Sequence, residues 1–224
     1  MTRAAETVVI CLVSLGSVAY STVRADTLIV GNLTASDPFG DQYTGTLARQ
    51  AGVFQLSSAF TPMSVTSLTA SLRVTNAPIT AAIQLYSDNG SLAPLSPVFD
   101  LGNLDLTPDG GSNPVFSNRT WTPAASFTIQ PSTTYWASIR IVSGTGGLQW
   151  RYSGTAIRDP GSLSTASMPL WRAFSTNAGT TWQGESHEYV FALQGTPVPA
   201  PGPLAACSAV AGLACGRRRR RIRA

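Results

Sequence analysis

The sequence predicts an all-β fold, and within that class a β-sandwich with a jelly-roll-like arrangement of strands. Three observations predict it. Apolar and polar residues alternate with a period of two along much of residues 26–195. Clusters of Gly, Pro, Asn and Ser separate these stretches. No stretch of this body combines a period near 3.6 residues with helix caps, and its 170 residues fit one sandwich domain.

The alternation is clearest in five stretches. They are residues 67–74, 79–86, 135–142, 148–152 and 187–193. In the first stretch we expect Leu68 and Leu72 to face the core, and Thr69 and Arg73 to face outward. Shorter strand candidates are residues 27–33, 52–56, 98–104, 126–129 and 170–174. A turn is predicted at 87–90, because Asn and Gly tolerate positive φ.

Composition and charge exclude several classes of protein. Charged residues make up 12% of the chain, about half the usual share, which excludes a charge-rich disordered chain and a coiled coil. All fifteen basic residues are Arg, and eight of them lie in the first 25 or the last eight residues. Residues 26–195 contain seven Arg and ten acidic residues, so the body has a net charge of −3. A nucleic-acid-binding domain carries basic charge on a folded face, so no nucleic-acid partner is expected.

Residues 1–25 are predicted to be a secretory signal peptide. Arg3 precedes a twelve-residue apolar run at 8–19, and Val23 and Ala25 suit a signal-peptidase site. Cleavage is expected between Ala25 and Asp26. The alternatives are an uncleaved anchor or a buried helix, but twelve helical residues span only ~18 Å, less than the ~30 Å hydrocarbon core of a membrane.

The C-terminus has three parts in a fixed order. Residues 196–203 form a Pro-rich linker, which proline holds extended. Residues 204–216 are small and apolar and are predicted to form a transmembrane-like helix. Residues 217–224 are an Arg-rich stop, in which Arg217, Arg218, Arg219, Arg220 and Arg221 keep the end of the chain cytoplasmic. An ordinary membrane anchor and a disordered tail are the alternatives.

This tail resembles the PEP-CTERM sorting signal that exosortases recognise. The matching residues are Val198, Pro199, Ala200, Pro201, Gly202 and Pro203, followed by the apolar segment and the arginines. The resemblance implies an exosortase-type processing enzyme as partner and a precursor tethered to the inner membrane by its C-terminal helix. It also implies a final location at the cell surface or in the extracellular matrix.

The body resembles the choice-of-anchor domains of bacterial surface proteins. The resemblance runs from about residue 51 to 195 and depends on four strand-and-turn segments, at 60–68, 85–90, 129–136 and 189–195. It implies a β-sandwich fold and a surface location. It implies no catalytic residues.

The residues that usually carry chemistry are sparse. All three Cys lie in the terminal segments, and the body has one histidine, His187, without a Gly-x-Ser-x-Gly elbow. No pair among the turn-associated acids stands out as a glycosidase pair. We therefore expect no catalytic, cofactor-binding or metal-binding residues, although the acidic loops 37–41 and 105–109 leave a structural calcium site open.

Aromatic residues leave a second function open. All five Trp lie in the body: Trp121, Trp136, Trp150, Trp171 and Trp182. Most such rings fill a sandwich core, but Trp182 lies in a Gly- and Thr-rich, loop-like segment. The sequence favours a non-catalytic exported surface or matrix protein. The alternative is a carbohydrate-binding module, with exopolysaccharide as its partner.

Overall fold

The computed structural model describes residues 25–110 and 115–199, and their regular structure is entirely β. The strands, in chain order, are β1 (Thr27–Gly31), β2 (Gly40–Thr44), β3 (Arg49–Leu56), β4 (Met63–Thr75), β5 (Ile79–Asp88), β6 (Pro94–Leu106), β7 (Ser117–Trp121), β8 (Thr128–Ile129), β9 (Thr134–Gly144), β10 (Gly147–Ser153), β11 (Ala166–Ser167), β12 (Arg172–Ser175), β13 (Gln183–Glu185), β14 (Glu188–Tyr189) and β15 (Phe191–Pro197). The predicted all-β class is confirmed.

The strands form two antiparallel sheets, as a β-sandwich requires. The first sheet has the order β1-β15-β4-β10-β14, with β2 paired to β10, and β7 and β8 paired to β4. The second sheet has the order β13-β12-β3-β9-β5-β6, with β11 paired to β3. Long β4 joins four neighbours, so it is the centre of the first sheet, and β3 and β9 are central in the second.

The predicted alternation is confirmed in the central strands. In β4, Leu68 and Leu72 are fully buried, whereas Thr69 and Arg73 are only half-buried. The core-facing residues of the other four stretches belong to the same core: Ile79, Ala81, Ile83, Leu85, Tyr135, Ala137, Ile139, Ile141, Leu148, Trp150, Tyr189, Phe191 and Leu193. Burial of these side chains, at ~25 cal/mol per Å² of apolar surface, holds the two sheets together.

Stacked aromatic rings fill the middle of the core. Trp150 stacks on Tyr189 with ring centroids 4.5 Å apart, and Phe191 meets Phe54 of the second sheet edge-on at 6.3 Å. Opposite Phe191 lies Gly52, where an added Cβ would come 2.8 Å from the Phe191 Cε1 atom. Glycine is therefore required where the two sheets approach each other.

Some strands differ from the sequence prediction. The stretch 187–193 is divided at Val190, whose N–H donates to the Arg151 carbonyl (2.9 Å) and whose carbonyl accepts from Ser71 N–H (3.0 Å). The chain thus passes from β10 to β4 at this residue. His187 lies just before the strand. Strand β2 was missed because its sequence, GDQYT, has no apolar alternation.

The first and last strands are neighbours. Thr27 of β1 pairs with Gly195 of β15, so the two ends of the described body meet at one end of the first sheet. After β15, Val198 N–H donates to the Pro62 carbonyl (3.1 Å), and Pro199 is exposed. Within the described ranges, no helix is long and apolar enough to cross a membrane.

Candidate functional site

The outer face of the second sheet carries a second apolar cluster, separate from the core. Its buried members are Ala51, Val53, Tyr86, Trp136 and Ala173, and its half-buried members are Trp171 and Trp182. The five buried members come from outward-pointing positions of β3, β5, β9 and β12. Trp171 directly precedes β12, and Trp182 directly precedes β13. Because two Trp rings of this cluster are half-buried at the surface, this face is the clearest candidate binding surface in the described body.

The loop between β5 and β6 folds over one end of this face. Trp136 Nε1–H donates to the Asp88 carboxylate (2.7 Å), and Trp171 Nε1–H donates to the Leu92 carbonyl (3.1 Å). Trp171 also lies against Gly184 of β13, where an added Cβ would come 2.4 Å from its ring. Glycine at this position therefore makes room for the ring, which is half-buried.

Trp182 covers the other part of the face. It meets Tyr86 edge-on, with centroids 5.9 Å apart, and lies beside Gly179, where an added Cβ would come 3.3 Å from the Trp182 Cζ2 atom. The turn before it is fixed by Ser175 Oγ, which accepts from Gly179 N–H (2.9 Å). Trp182 Nε1–H is buried without a hydrogen-bond partner among the described residues. A hydrogen-bonded turn thus positions the Trp182 ring, but the indole N–H of this ring lacks an acceptor in the described part of the chain.

Two arginines lie directly opposite each other beside these rings. Arg49 of β3 is the register partner of Arg140 of β9, and both side chains are half-buried on the outer face. Arg49 donates to the neutral oxygens of Gln84 (3.5 Å) and Tyr86. Within the ranges that the structure describes, Arg140 makes no side-chain hydrogen bond, and neither arginine forms an ion pair. The face is therefore locally cationic on a body whose net charge is negative.

A third arginine has the opposite environment. Arg172 of β12 points inward, is nearly fully buried, and forms ion pairs with Asp41 of β2 and Glu185 of β13. Its guanidinium carbon lies 4.1 Å from the centroid of Tyr152. Burial raises the pKa of the Asp41 carboxyl, against the opposing effect of Arg172. The charges of Arg172, Asp41 and Glu185 pair with one another and join the two sheets. We call this cluster the inter-sheet clamp.

Two other buried acids have structural partners. Asp159 accepts from the backbone N–H groups of Leu33 (2.7 Å) and Thr34 (2.8 Å). Glu188 accepts from the Asn32 amide and from Ile157 N–H, both at 3.0 Å, and burial raises its pKa. These contacts fix the loops at one end of the sandwich.

The acidic loops proposed for calcium are also engaged with the chain. Asp37 accepts from Ser153, Asp105 from Thr80, and Asp109 from Arg119, Ser117 and the Val74 N–H. No group of three or more His, Cys, Asp or Glu that could hold a metal ion occurs within residues 25–110 and 115–199. The calcium hypothesis stays a prediction.

His187 meets the ring of Tyr152 edge-on at 5.0 Å. Its Nδ1 atom is buried and has no hydrogen-bond partner in the described part of the chain. Among the described residues, no hydroxyl or carboxylate is hydrogen-bonded to Nδ1 of His187.

The structure places only part of the predicted targeting residues. Ala25 and Asp26 directly precede β1, and Val198 and Pro199 directly follow β15. The signal peptide before Ala25, the motif residues 200–203, the helix 204–216 and the arginines 217–221 lie outside the described residues.

The Trp residues are recognisable as candidates from the sequence, whereas Arg49 and Arg140 are not. Trp121, Trp136 and Trp150 are buried, whereas Trp171 and Trp182 are half-buried on one face. The two arginines come from strands that are distant in sequence, so only the sheet register brings them together. No family model, curated protein or solved structure matches the chain.

Proposed function

We propose that this chain is a non-catalytic exported protein of the cell surface or extracellular matrix, delivered by a signal peptide and sorted through a PEP-CTERM-like tail. The observation that carries the proposal is the order of linker, apolar segment and arginines that follows the body. The apolar segment 204–216 would enter the membrane as a helix. Arginines at its end would resist translocation, at ~2.5–3.5 kcal/mol each on insertion scales.

The body's geometry supports this assignment. Strand β1 begins two residues after Ala25, and β15 ends two residues before Pro199. Both ends meet at one end of the first sheet, so a processing enzyme at either end would act outside the folded strands. Pro199 is exposed, and an extended Pro-rich linker suits the active site of an exosortase-type enzyme. We also propose a jelly-roll-like arrangement of the strands, a topology that is built from two antiparallel sheets such as those of this body.

Fractionation of cells with an antibody to the body tests the sorting proposal. The parent chain should lose residues 1–25 and its tail, and leave the inner membrane. Pro199→Ala/Pro201→Ala should accumulate there with its tail intact, whereas Pro160→Ala, a change at an exposed proline of the body, should behave as the parent. Deletion of residues 200–224 should release the body without anchoring.

Two results would contradict the proposal. Intact mass showing a chain that still starts at Met1 would rule out the signal peptide. Normal processing of the double proline variant would favour a plain membrane anchor.

A second candidate is a carbohydrate-binding module, which the half-buried Trp171 and Trp182 on one sheet face favour. Apolar faces of sugar rings pack on such side chains, which present large apolar area at low entropic cost. The candidate predicts that Trp171→Ala/Trp182→Ala reduces retention in a gel containing polysaccharide. Unchanged retention would leave the surface-protein proposal without this activity.

A further inference from the structure

We propose that Arg49, Arg140 and Trp182 form a binding site for an anionic, carboxylate-bearing polysaccharide on the outer face of the second sheet. The inference rests on the carbohydrate-binding candidate above and names its ligand class. It is independent of the sorting tail, because all of its residues lie in the body.

The register of the two arginines is the first argument. Like charges directly opposite each other in neighbouring strands destabilise a sheet. Arg49 and Arg140 occupy such positions, and neither has a carboxylate partner among the described residues. Arg119 and Arg172 form ion pairs, and Arg151 and Arg158 donate to backbone carbonyls. Within the described ranges Arg73 also lacks an ion pair, but its register partner in β10 is the neutral Gln149 rather than a second arginine. The face therefore carries two neighbouring cations whose charge is complementary to an anion.

The neighbouring acids do not neutralise this pair. Asp88 accepts from Trp136 Nε1–H and Gly90 N–H, and Asp100 accepts from the Gln84 amide (3.0 Å) and Gly102 N–H. Gln84 thus stands between Asp100 and Arg49.

The unmet polar atoms are the second argument. The Nε–H groups of Arg49 and Arg140 and the Nε1–H of Trp182 are buried without hydrogen-bond partners in the described chain. All three are donors, and no described acceptor reaches them, since Gln84 and Tyr86 accept from the Arg49 Nη1 group rather than from its Nε–H. Unmet Nε–H groups also occur at Arg73, Arg119 and Arg172, so what distinguishes this face is its grouping of three unmet donors. A carboxylate supplies two acceptor oxygens in the geometry that a guanidinium fork matches.

The aromatic ring specifies a sugar rather than a small anion. Trp182 stands beside Arg49 across Gly179, where an added Cβ would lie 3.3 Å from each of the two side chains. A charged pair next to an indole suits a ligand with carboxylates and apolar ring faces, which is the chemistry of a uronate polymer. A repeating polymer also fits an open sheet face better than a closed pocket would.

The test compares retention of full-length variants in native gels with polygalacturonate, dextran or no polymer. All variants carry Ser at positions 217–221 and 223, so that the Arg-rich tail does not bind the polyanion, and all are kept in a detergent without sugar headgroups. The parent should be retarded by polygalacturonate at low salt and less so as salt screens the charges. Arg49→Gln/Arg140→Gln should weaken binding by ~10-fold or more, as expected for charge-assisted hydrogen bonds.

Three matched variants separate the site from general effects. Arg73→Gln changes a half-buried arginine of the first sheet that also lacks an ion pair, and should change affinity less than ~2-fold. Arg49→Lys/Arg140→Lys keeps the charge and should retain part of the affinity. Trp182→Ala should weaken binding ~5-fold or more through lost apolar contact. Thermal unfolding shows whether each variant is folded. If Arg49→Gln/Arg140→Gln is unfolded, the single variant Arg140→Gln is tested in its place.

The outcomes distinguish the two levels of the proposal. Retardation by polygalacturonate that depends on Arg49, Arg140 and Trp182 supports both. Retardation by dextran alone leaves the carbohydrate candidate standing and overturns the anionic site. In a further gel, single-stranded DNA replaces polygalacturonate as a polyanion without uronate rings. Equal retardation of all variants by polygalacturonate, or retardation of the parent by DNA as strong as by polygalacturonate, overturns the site. If neither polygalacturonate nor dextran retards the parent, both the anionic site and the carbohydrate candidate are overturned.

Discussion

Thr27, the first residue of β1, lies directly opposite Gly195 in β15, so the first and last strands of the body are hydrogen-bonded neighbours. The pairing continues to Gly31 and Ala192 after a shift in register. A chain that begins at Asp26 and ends at Pro199 therefore keeps every described strand. It also keeps the Val198 N–H bond to Pro62.

Residues 26–199 expressed alone should fold as a metal-independent β domain. The core is continuous between the two sheets, contains no Cys, and the carboxylates of the acidic loops accept hydrogen bonds from the chain itself. Circular dichroism and thermal unfolding, with Ca²⁺ or with a chelator, measure this. A helical spectrum would contradict the fold, and a transition that needs Ca²⁺ would instead support a structural ion at the acidic loops.

Replacing Arg172 in this fragment should be strongly destabilising. Its guanidinium joins Asp41 of the first sheet to Glu185 of the second and packs on Tyr152. Arg172→Met keeps apolar volume but leaves the half-buried Asp41 carboxylate without its cation. Loss of one partner of a buried pair costs ~3–5 kcal/mol, although the exposed fraction of Glu185 places this clamp at the lower end. Denaturant unfolding gives the free energy.

Two further variants test the cause of that loss. Asp41→Asn in the Arg172→Met background should recover part of the stability, because the uncompensated charge is then gone. Arg73→Met should change the free energy of unfolding by less than ~0.5 kcal/mol, since Arg73 lies half-buried on an outer face without an ion pair. Equal losses from Arg172→Met and Arg73→Met would show that the clamp is not a special contact.

The sequence predicted the core well because period-two alternation is a local signal. Residues two or four positions apart lie on the same face of a strand, whichever strand is its neighbour. Leu68 and Leu72 of β4 therefore share the core face, as do Ile139 and Ile141 of β9, and their burial follows from their spacing. The signal fails in strands such as β2 and β13, where Gln, Gly and charged residues pair with the backbone of a longer neighbour. Their position is decided by that neighbour rather than by their own side chains.

Alkaline pH should destabilise the body through its buried tyrosines. Burial raises the pKa of Tyr43 to about 12 and that of Tyr189 well above its ordinary value. A tyrosine whose pKa is raised in the folded state stays protonated there, while the unfolded chain ionises at ~10. Stability is therefore complete below pH ~10 and falls as pH rises above it. Unfolding curves at a series of pH values measure the fall.

Few other side chains contribute to this alkaline titration, because the body contains no Lys and no Cys. Tyrosines are then its main side chains that titrate in that range, since Arg stays protonated. Tyr189→Phe, which removes the hydroxyl bonded to Asp41, should lower stability at neutral pH and make the alkaline fall shallower. An unchanged pH slope in this variant would contradict the assignment to Tyr189.

The candidate site was only half predictable. Trp182 could be recognised from its Gly- and Thr-rich flanks, and the turn with Gly179 explains why it lies on the surface. The pair Arg49 and Arg140 could not be recognised, because nothing near either residue encodes that β3 pairs with β9 in this register. Trp136 shows that a position on the outer face need not be exposed. Its side chain points away from the core, but it is fully buried beside the β5–β6 loop.

Arg140→Thr should stabilise the isolated body while weakening its binding of an anionic polymer. Arg140 makes no side-chain hydrogen bond with the described residues and faces Arg49 directly, so its removal costs no contact of that kind and relieves repulsion between like charges. Thr is also a good strand residue. The expected gain is ~0.2–1 kcal/mol, the range for cross-strand pairs. Because the repulsion is screened by salt, the gain should shrink between low salt and ~1 M salt.

Arg119→Thr is the matched control, since it breaks the ion pair with Asp109 and should lower stability instead. A loss of stability in Arg140→Thr that does not depend on salt would mean that its aliphatic stem contributes more by packing than its charge costs, and the arginine pair would then need no ligand to account for it.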